Sequence, residues 1–136
     1  TKKMSKSDES GKGIIFLSDT PEAAAKKIMS ATTDSLGKID LDYQNQPGIS
    51  NLLQILALLQ SKDLHEVVAE FKGQSTYGNL KKQVADAVSK FLSDFQTQLK
   101  SVDETKLQAK LTTSEVTMNK IANQTLLKVQ TAVGLR

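Results

Sequence analysis

Between Ile49 and Gln60 the chain carries Ile49, Leu52, Leu53, Ile55, Leu56, Leu58 and Leu59, so a helix over this stretch is apolar nearly all the way round. Such a helix has almost no face to offer water and belongs at the centre of a bundle, with the other elements wrapped around it. The flanking sequence supplies wrappers with helical periodicity. Thr20-Pro21-Glu22 reads as a helix start, with Thr as cap, Pro at the first helical position and an acid in the first turn. That helix is expected to run to about Thr32, with Ala24, Ile28 and Ala31 on one face. Asp63 and Glu66 have capping-box spacing, and Leu64, Val67, Val68 and Phe71 follow the i, i+3, i+4, i+7 rule before Gly73. Tyr77, Leu80, Val84, Val88, Phe91, Phe95 and Leu99 mark a long amphipathic helix. A further capping-box pair, Ser101 and Glu104, leads into Leu107, Leu111, Met118, Ile121, Val129 and Val133, with a stop at Gly134.

The remaining segments are short. Residues 1–12 have lysines and hydroxyls but no apolar periodicity, and read as a mobile loop. Gly13 to Leu17 suits a brief extended segment. Residues 34–48 form a connector in which Ile39, Leu41 and Tyr43 alternate until Pro47-Gly48 stops them. The expected architecture is an all-α helical bundle of five helices, the last two long and antiparallel. At 136 residues it is sized for one compact domain.

Composition excludes several classes of chemistry. Aromatic residues are 4% of the chain with no Trp, so the core must be aliphatic. With no cysteine there is no disulfide, thiolate metal site or thiol nucleophile. The longest apolar run, Ile55 to Leu59, is far short of a membrane span, and nothing resembles a secretory leader. The chain reads as soluble and cytoplasmic. His65 is the single histidine and lies one position off its helix's apolar stripe, which makes it a surface residue rather than a ligand. Asp40 and Asp42 lack the partners that a metal or an acid–base pair requires, and read as solvated loop acids. No metal site is expected.

Charge is uneven. Residues 1–99 hold 12 lysines and 12 acids, whereas residues 100–136 hold five lysines and Arg136 against Asp103, Glu104 and Glu115. The whole excess of +3 therefore falls in the last segment. A locally basic helix is what a polyanion contact requires, although by charge alone a solvated lysine face explains it as well. The sharpest motif is Lys3-Met4-Ser5-Lys6-Ser7. Two lysines three apart on a hydroxyl-bearing loop can bring two ammonium groups to one phosphate chain, where negative charge builds on a leaving pyrophosphate. Read by composition, the same residues are an exposed lysine-rich tail.

K-M-S-K-S resembles the second signature of class I aminoacyl-tRNA synthetases, and the likeness extends along the chain. Lys26-Lys27-Ile28 leading to Ala31-Thr32-Thr33-Asp34-Ser35 is similar to the K-K-I…A-x-T-D segment of bacterial tryptophanyl-tRNA synthetases. Pro47-Gly48-Ile49-Ser50-Asn51-Leu52-Leu53 resembles that family's P-G-x-S-N-L-L. Tyr77-Gly78-Asn79-Leu80-Lys81 through Val84-Ala85-Asp86-Ala87-Val88 resembles its Y-G-x-L-K…V-A-D-A-V. These segments keep the family order and cover roughly residues 2–100. Thr76-Tyr77-Gly78-Asn79 imitates the family's first signature, but it follows the second motif and sits at a helix start rather than after a strand.

The resemblance implies activation of tryptophan with Mg-bound ATP and transfer to tryptophan tRNA in a full-length enzyme, which in this family is a homodimer. It implies that Lys3 and Lys6 act catalytically on the departing pyrophosphate, and that Met4, Ser5 and Ser7 complete the ATP-binding loop. Residues 1–19 would then close the catalytic domain. Residues 20–136 would be a helical anticodon-binding domain, with Lys106, Lys110, Lys120 and Lys128 meeting the tRNA. With two residues before the motif, the chain is expected to be a C-terminal fragment, monomeric, and inactive in tryptophan-dependent ATP–pyrophosphate exchange when assayed alone. Two other readings stay open from the sequence: a free-standing helical RNA-binding module, and a protein-interaction bundle whose basic last helix is merely soluble.

Overall fold

The computed structural model describes residues 11–136. It contains five helices, α1 (Pro21–Met29), α2 (Pro47–Gln60), α3 (Leu64–Glu70), α4 (Gly78–Lys100) and α5 (Glu104–Ala132). No strand occurs among the described residues, so the Gly13–Leu17 segment has no pairing partner there. The chain resolves into two compact units, one ending at Gln98 and the other comprising Leu99–Arg136.

In the first unit, α1 to α4 enclose one apolar core, aliphatic as the composition requires except for Phe71, its largest fully buried side chain. Ile49, Leu53, Leu56, Val67, Phe71, Leu80 and Val84 are fully buried, and Ala24, Ile28 and Ile39 complete the packing from α1 and the connector. The apolar α2 lies at the centre, as its composition requires, although Leu58 is left 79% exposed. Burial of an aliphatic side chain stabilises by about 1.5–3 kcal/mol, so this cluster dominates the stability of the unit.

Helix ends follow local chemistry, with three departures from the sequence reading. Thr20 caps α1 by accepting the Ala23 N–H at 3.2 Å, but the helix closes at Ser30 rather than Thr32. Pro47 opens α2 instead of ending the stretch before it, because a residue without an N–H is tolerated where helical N–H groups have no partner. At α5 the cap is Asp103, which accepts the Lys106 N–H at 3.1 Å, and not Ser101. Asp63 caps α3 through the His65 N–H at 2.8 Å. The end of α2 places Ser61 at φ 53°, in the left-handed region usually held by glycine, while Lys62 N–H reaches back to the Ala57 carbonyl at 3.0 Å. At the end of α5 the same arrangement uses Gly134 at φ 75°, with Leu135 N–H on the Gln130 carbonyl at 2.8 Å.

The stripe along α4 also needs correction. Its buried face is Leu80, Val84, Ala85, Val88 and Leu92, whereas Phe91 is 46% and Leu99 60% exposed. The stripe of α5 exists in sequence, but the helix buries none of its residues: Leu107, Leu111, Met118, Ile121, Val129 and Val133 are all exposed. A single helix cannot cover its own apolar face, and Leu99–Arg136 contains no second layer.

At Gly48, in the first turn of α2, the chain just after α1 comes close to the helix backbone. A Cβ built there would lie 2.6 Å from the Thr32 carbonyl oxygen, a backbone atom that cannot step aside alone. Gly48→Ala is therefore expected to cost about 1–3 kcal/mol in urea unfolding. Gly78→Ala, where nothing lies within 4 Å, is expected to be neutral or stabilising.

Candidate functional site

The signature residues Lys3, Met4, Ser5, Lys6 and Ser7 lie outside the described residues. The chain that follows them is held firmly. Lys27, from the K-K-I segment on α1, donates to the Ile14 carbonyl at 2.9 Å and to Asp19 Oδ2 at 2.6 Å, with its ammonium 5.2 Å from the centre of the Phe16 ring. Asp19 also accepts the Phe16 N–H at 3.0 Å. The Lys27 bond and then the Phe16 N–H hold its carboxyl below the ordinary range. Gln96 on α4 donates to the Leu17 carbonyl at 2.9 Å and the Asp19 carbonyl at 2.8 Å. Ser89 hydrogen-bonds the Pro21 carbonyl at 3.1 Å. Residues 14–21 are thus fastened to α1 and α4 by side chains of both.

A second polar cluster joins the motif segments that stand apart in sequence. Gln46, fully buried immediately before Pro47-Gly48, donates its amide to Asp34 Oδ1 at 3.1 Å, Asp34 Oδ2 at 3.2 Å and the Lys38 carbonyl at 2.8 Å. Its Oε1 accepts the Asp40 N–H at 3.2 Å. The Tyr77 hydroxyl donates to Asp34 Oδ1 and accepts the Gly37 N–H at 3.1 Å. Lys81, four residues on, donates to the Ala31 carbonyl at 2.7 Å. Asp34 of A-T-T-D, the approach to P-G-I-S-N-L-L, and both Tyr77 and Lys81 of Y-G-N-L-K therefore form one connected network. Burial would raise the Asp34 carboxyl, but hydrogen bonds from Tyr77, the Leu36 N–H and Gln46 outweigh it and hold it low. The Tyr77 hydroxyl is pushed up by burial and by its bond to Asp34.

Asp34, Gln46 and Tyr77 were not among the candidate residues read from the sequence. The usable signal was their position inside or beside the quoted motifs; their pairing spans 31 and 43 residues and is invisible to periodicity. Asp40 and Asp42, read as loop acids, differ from each other. Asp40 is exposed and pairs with Lys38 at 2.9 Å. Asp42 shapes the turn before α2, accepting the Gln44 N–H at 3.0 Å, the Asn45 N–H at 2.9 Å and the Asn45 amide at 2.8 Å. Its carboxyl is held low, chiefly by the Asn45 side chain and N–H. Ser50, also buried, accepts the Asp42 N–H at 2.9 Å. His65 is exposed. The described residues contain no group of three or more His, Asp or Glu able to hold a metal.

The four candidate tRNA-binding lysines all lie on α5 and are exposed. At 100° per residue, Lys106, Lys110, Lys120 and Lys128 fall within an arc of about 80°, along about 33 Å of helix. On the same wheel Glu104 and Glu115 fall roughly 160–180° from Lys106, opposite the lysine face. Lys106 makes one loose pair with the capping Asp103 at 3.7 Å.

Replacing Gln46 with Leu keeps its volume but removes the amide from Asp34, the Lys38 carbonyl and the Asp40 N–H. It is expected to cost about 1–3 kcal/mol in urea unfolding. Asp19 and Asp34 have folded-state pKa values below their unfolded ones. Their contribution is complete above the unfolded value and lost as pH falls through the folded one. Stability is therefore expected to drop on acidification below about pH 4, and less steeply in Asp34→Asn than in the parent, as measured by urea midpoints across that range.

Comparison with known proteins agrees with the motif geometry. The sequence model of the family described as tRNA synthetases class I (W and Y) matches residues 1–93. The chain is 42% identical over 134 residues to the tryptophan–tRNA ligase of Malacoplasma penetrans, covering 98% of the chain and 40% of that protein. It is 38% identical over 135 residues to the tryptophan–tRNA ligase of Bacillus subtilis, covering 98% of the chain and 41% of that protein. Among solved structures, the tryptophanyl-tRNA synthetase from Mycoplasma pneumoniae matches with a TM-score of 0.70 at 32% identity, over 79% of this chain and 34% of that one. The chain spans about two fifths of the length of the curated relatives it matches. No described helix is long and apolar enough to cross a membrane. The match over residues 1–93 takes in K-M-S-K-S and every motif joined by the polar network, and the chain belongs to the class I tRNA synthetases of the tryptophan and tyrosine group.

Proposed function

We propose that this chain is the C-terminal part of a tryptophan–tRNA ligase, and that its own contribution is to bind the anticodon region of tryptophan tRNA. The relatives that it matches over nearly its whole length carry that activity in their names, which supports tryptophan over tyrosine. In the whole enzyme, Lys3 and Lys6 stabilise negative charge on the pyrophosphate leaving ATP, and Met4, Ser5 and Ser7 shape the loop around the nucleotide. Mg-bound ATP, when present, supplies the activated phosphate. Lys27 and Gln96 fix the chain that emerges from that loop, so its anchored end does not drift.

The observation that carries the RNA reading is the arrangement of charge on α5. Lys106, Lys110, Lys120 and Lys128 share one face, and the glutamates keep off it. The acidic residues of α5 are off this face, so its positive charge is uncompensated along the helix. A stripe about 33 Å long can follow several phosphates of an RNA strand. Lysine–phosphate contacts release counterions, so binding is expected to weaken linearly in log–log terms as salt rises.

Replacing the four lysines together with Gln is expected to lower affinity for tryptophan tRNA at low salt by tenfold or more. It should also flatten the log Kd against log salt slope by about three to four. Filter binding across a salt series reads both. Unchanged slope and affinity would remove α5 from the interface. No binding by the parent chain at low salt would favour the protein-interaction reading.

A further inference from the structure

The stretch from Ile14 to Asp19 is held by polar bonds more than by burial. Phe16 is 45% and Leu17 52% exposed, and Ile15 is the side chain of this stretch that packs against the core. The Asp19 N–H returns to the Phe16 carbonyl at 3.0 Å, while the Phe16 N–H bonds the Asp19 carboxylate. Residues 16–19 are thereby closed into a turn from both sides. Lys27 clamps that turn through Asp19 Oδ2 and reaches past it to the Ile14 carbonyl. The two side chains of this ion pair are only 22% and 17% exposed, so solvent and salt screen it little. Gln96 holds the other edge through the carbonyls of Leu17 and Asp19.

We propose that Lys27, with Asp19 and Gln96, is a positioning residue for the step that releases pyrophosphate from ATP. The inference rests on the tryptophan–tRNA ligase reading above and deepens it, by giving the second lysine of K-K-I a role. In that step a tryptophan carboxylate oxygen bonds the α-phosphorus of ATP. The bond from that phosphorus to the bridging oxygen breaks, and its electron pair departs on pyrophosphate. Lys3 and Lys6 have to meet the departing group, so the chain that carries them needs a fixed origin. Eight residues separate Lys6 from Ile14, at most about 28 Å of extended backbone. With the clamp released, the next hydrogen-bonded anchor is the cap Thr20, fourteen residues from Lys6 and at most about 48 Å away. Chain statistics alone then dilute the lysines at the phosphate about twofold, and loss of direction costs more.

The test uses the full-length ligase that contains this chain, in tryptophan-dependent ATP–pyrophosphate exchange. Lys27→Met keeps a long unbranched side chain and removes the ammonium. It is expected to lower kcat about tenfold and to raise the KM for pyrophosphate about twofold or more, with the KM for tryptophan unchanged. Lys26→Met, at the exposed neighbouring position, should behave as the parent. Gln96→Leu removes the bonds to two carbonyls and should move the pyrophosphate KM in the same direction. It carries the test if circular dichroism shows that Lys27→Met has not folded. A general loss of stability lowers the amount of active enzyme but leaves that KM alone. A double-mutant cycle with Lys6→Ala separates the two further: Lys27→Met adds little once Lys6 is gone, if it acts through the signature. An unchanged pyrophosphate KM in both Lys27→Met and Gln96→Leu, or the same loss with and without Lys6, would overturn the positioning role. Absence of exchange by the parent ligase would instead bring down the enzyme reading on which the role rests.

Discussion

A buried primary amide needs partners on every side, and Gln46 finds them at Asp34, Lys38 and Asp40 of the connector and at Tyr77 before α4. Its Nε2 reaches Asp34 and the Lys38 carbonyl, its Oε1 takes the Asp40 N–H, and Asp34 passes the network on to Tyr77. If any one stretch moved away, a polar group with no access to water would be left unpaired, at a cost comparable to a large share of a small domain's stability. Here the cost is avoided entirely, since no buried side-chain polar atom lacks a partner among the described residues. The connector from residue 34 to 46 has no regular secondary structure of its own. This network, and not a ladder of backbone bonds, is what fixes it against the start of α2 and the approach to α4.

The consequence reaches the aliphatic core. Ile39, inside the connector, is 3% exposed and packs with residues of α2 and α4. It can be buried only because the polar residues on either side of it are satisfied. Gly48 then lets α2 approach the Thr32 carbonyl more closely than any side chain would permit. Hydrophobic burial supplies most of the free energy, while the amide, the carboxylate and the glycine decide the register in which it is gained.

This division explains what could be read from the sequence. The all-α class, the central position of α2, the stripe on α3 and the caps at Thr20 and Asp63 all follow from periodicity and local chemistry acting over a few residues. Pro47 was ambiguous because the same residue that terminates an extended stretch also opens a helix. Ser61 gave no sign of its left-handed conformation, since glycine is the usual marker. The Asp34–Gln46–Tyr77 network is built from contacts across tens of residues, and a single sequence contains no record of such pairing. Resemblance marked the segments as belonging together, yet said nothing of why. The geometry adds what the likeness leaves out: Asp34 and Tyr77, from two of those segments, are hydrogen-bonded to each other and to Gln46.

Rigidity of this kind bears on function through the two ends of α4. Near its start, Tyr77 and Lys81 are tied to the connector; further along, Ser89 and Gln96 hold the chain that emerges from the K-M-S-K-S segment. Between those bonds Leu80, Val84, Val88 and Leu92 bury one face of α4 in the core, so the helix holds the chain next to the signature at a fixed place on the first unit.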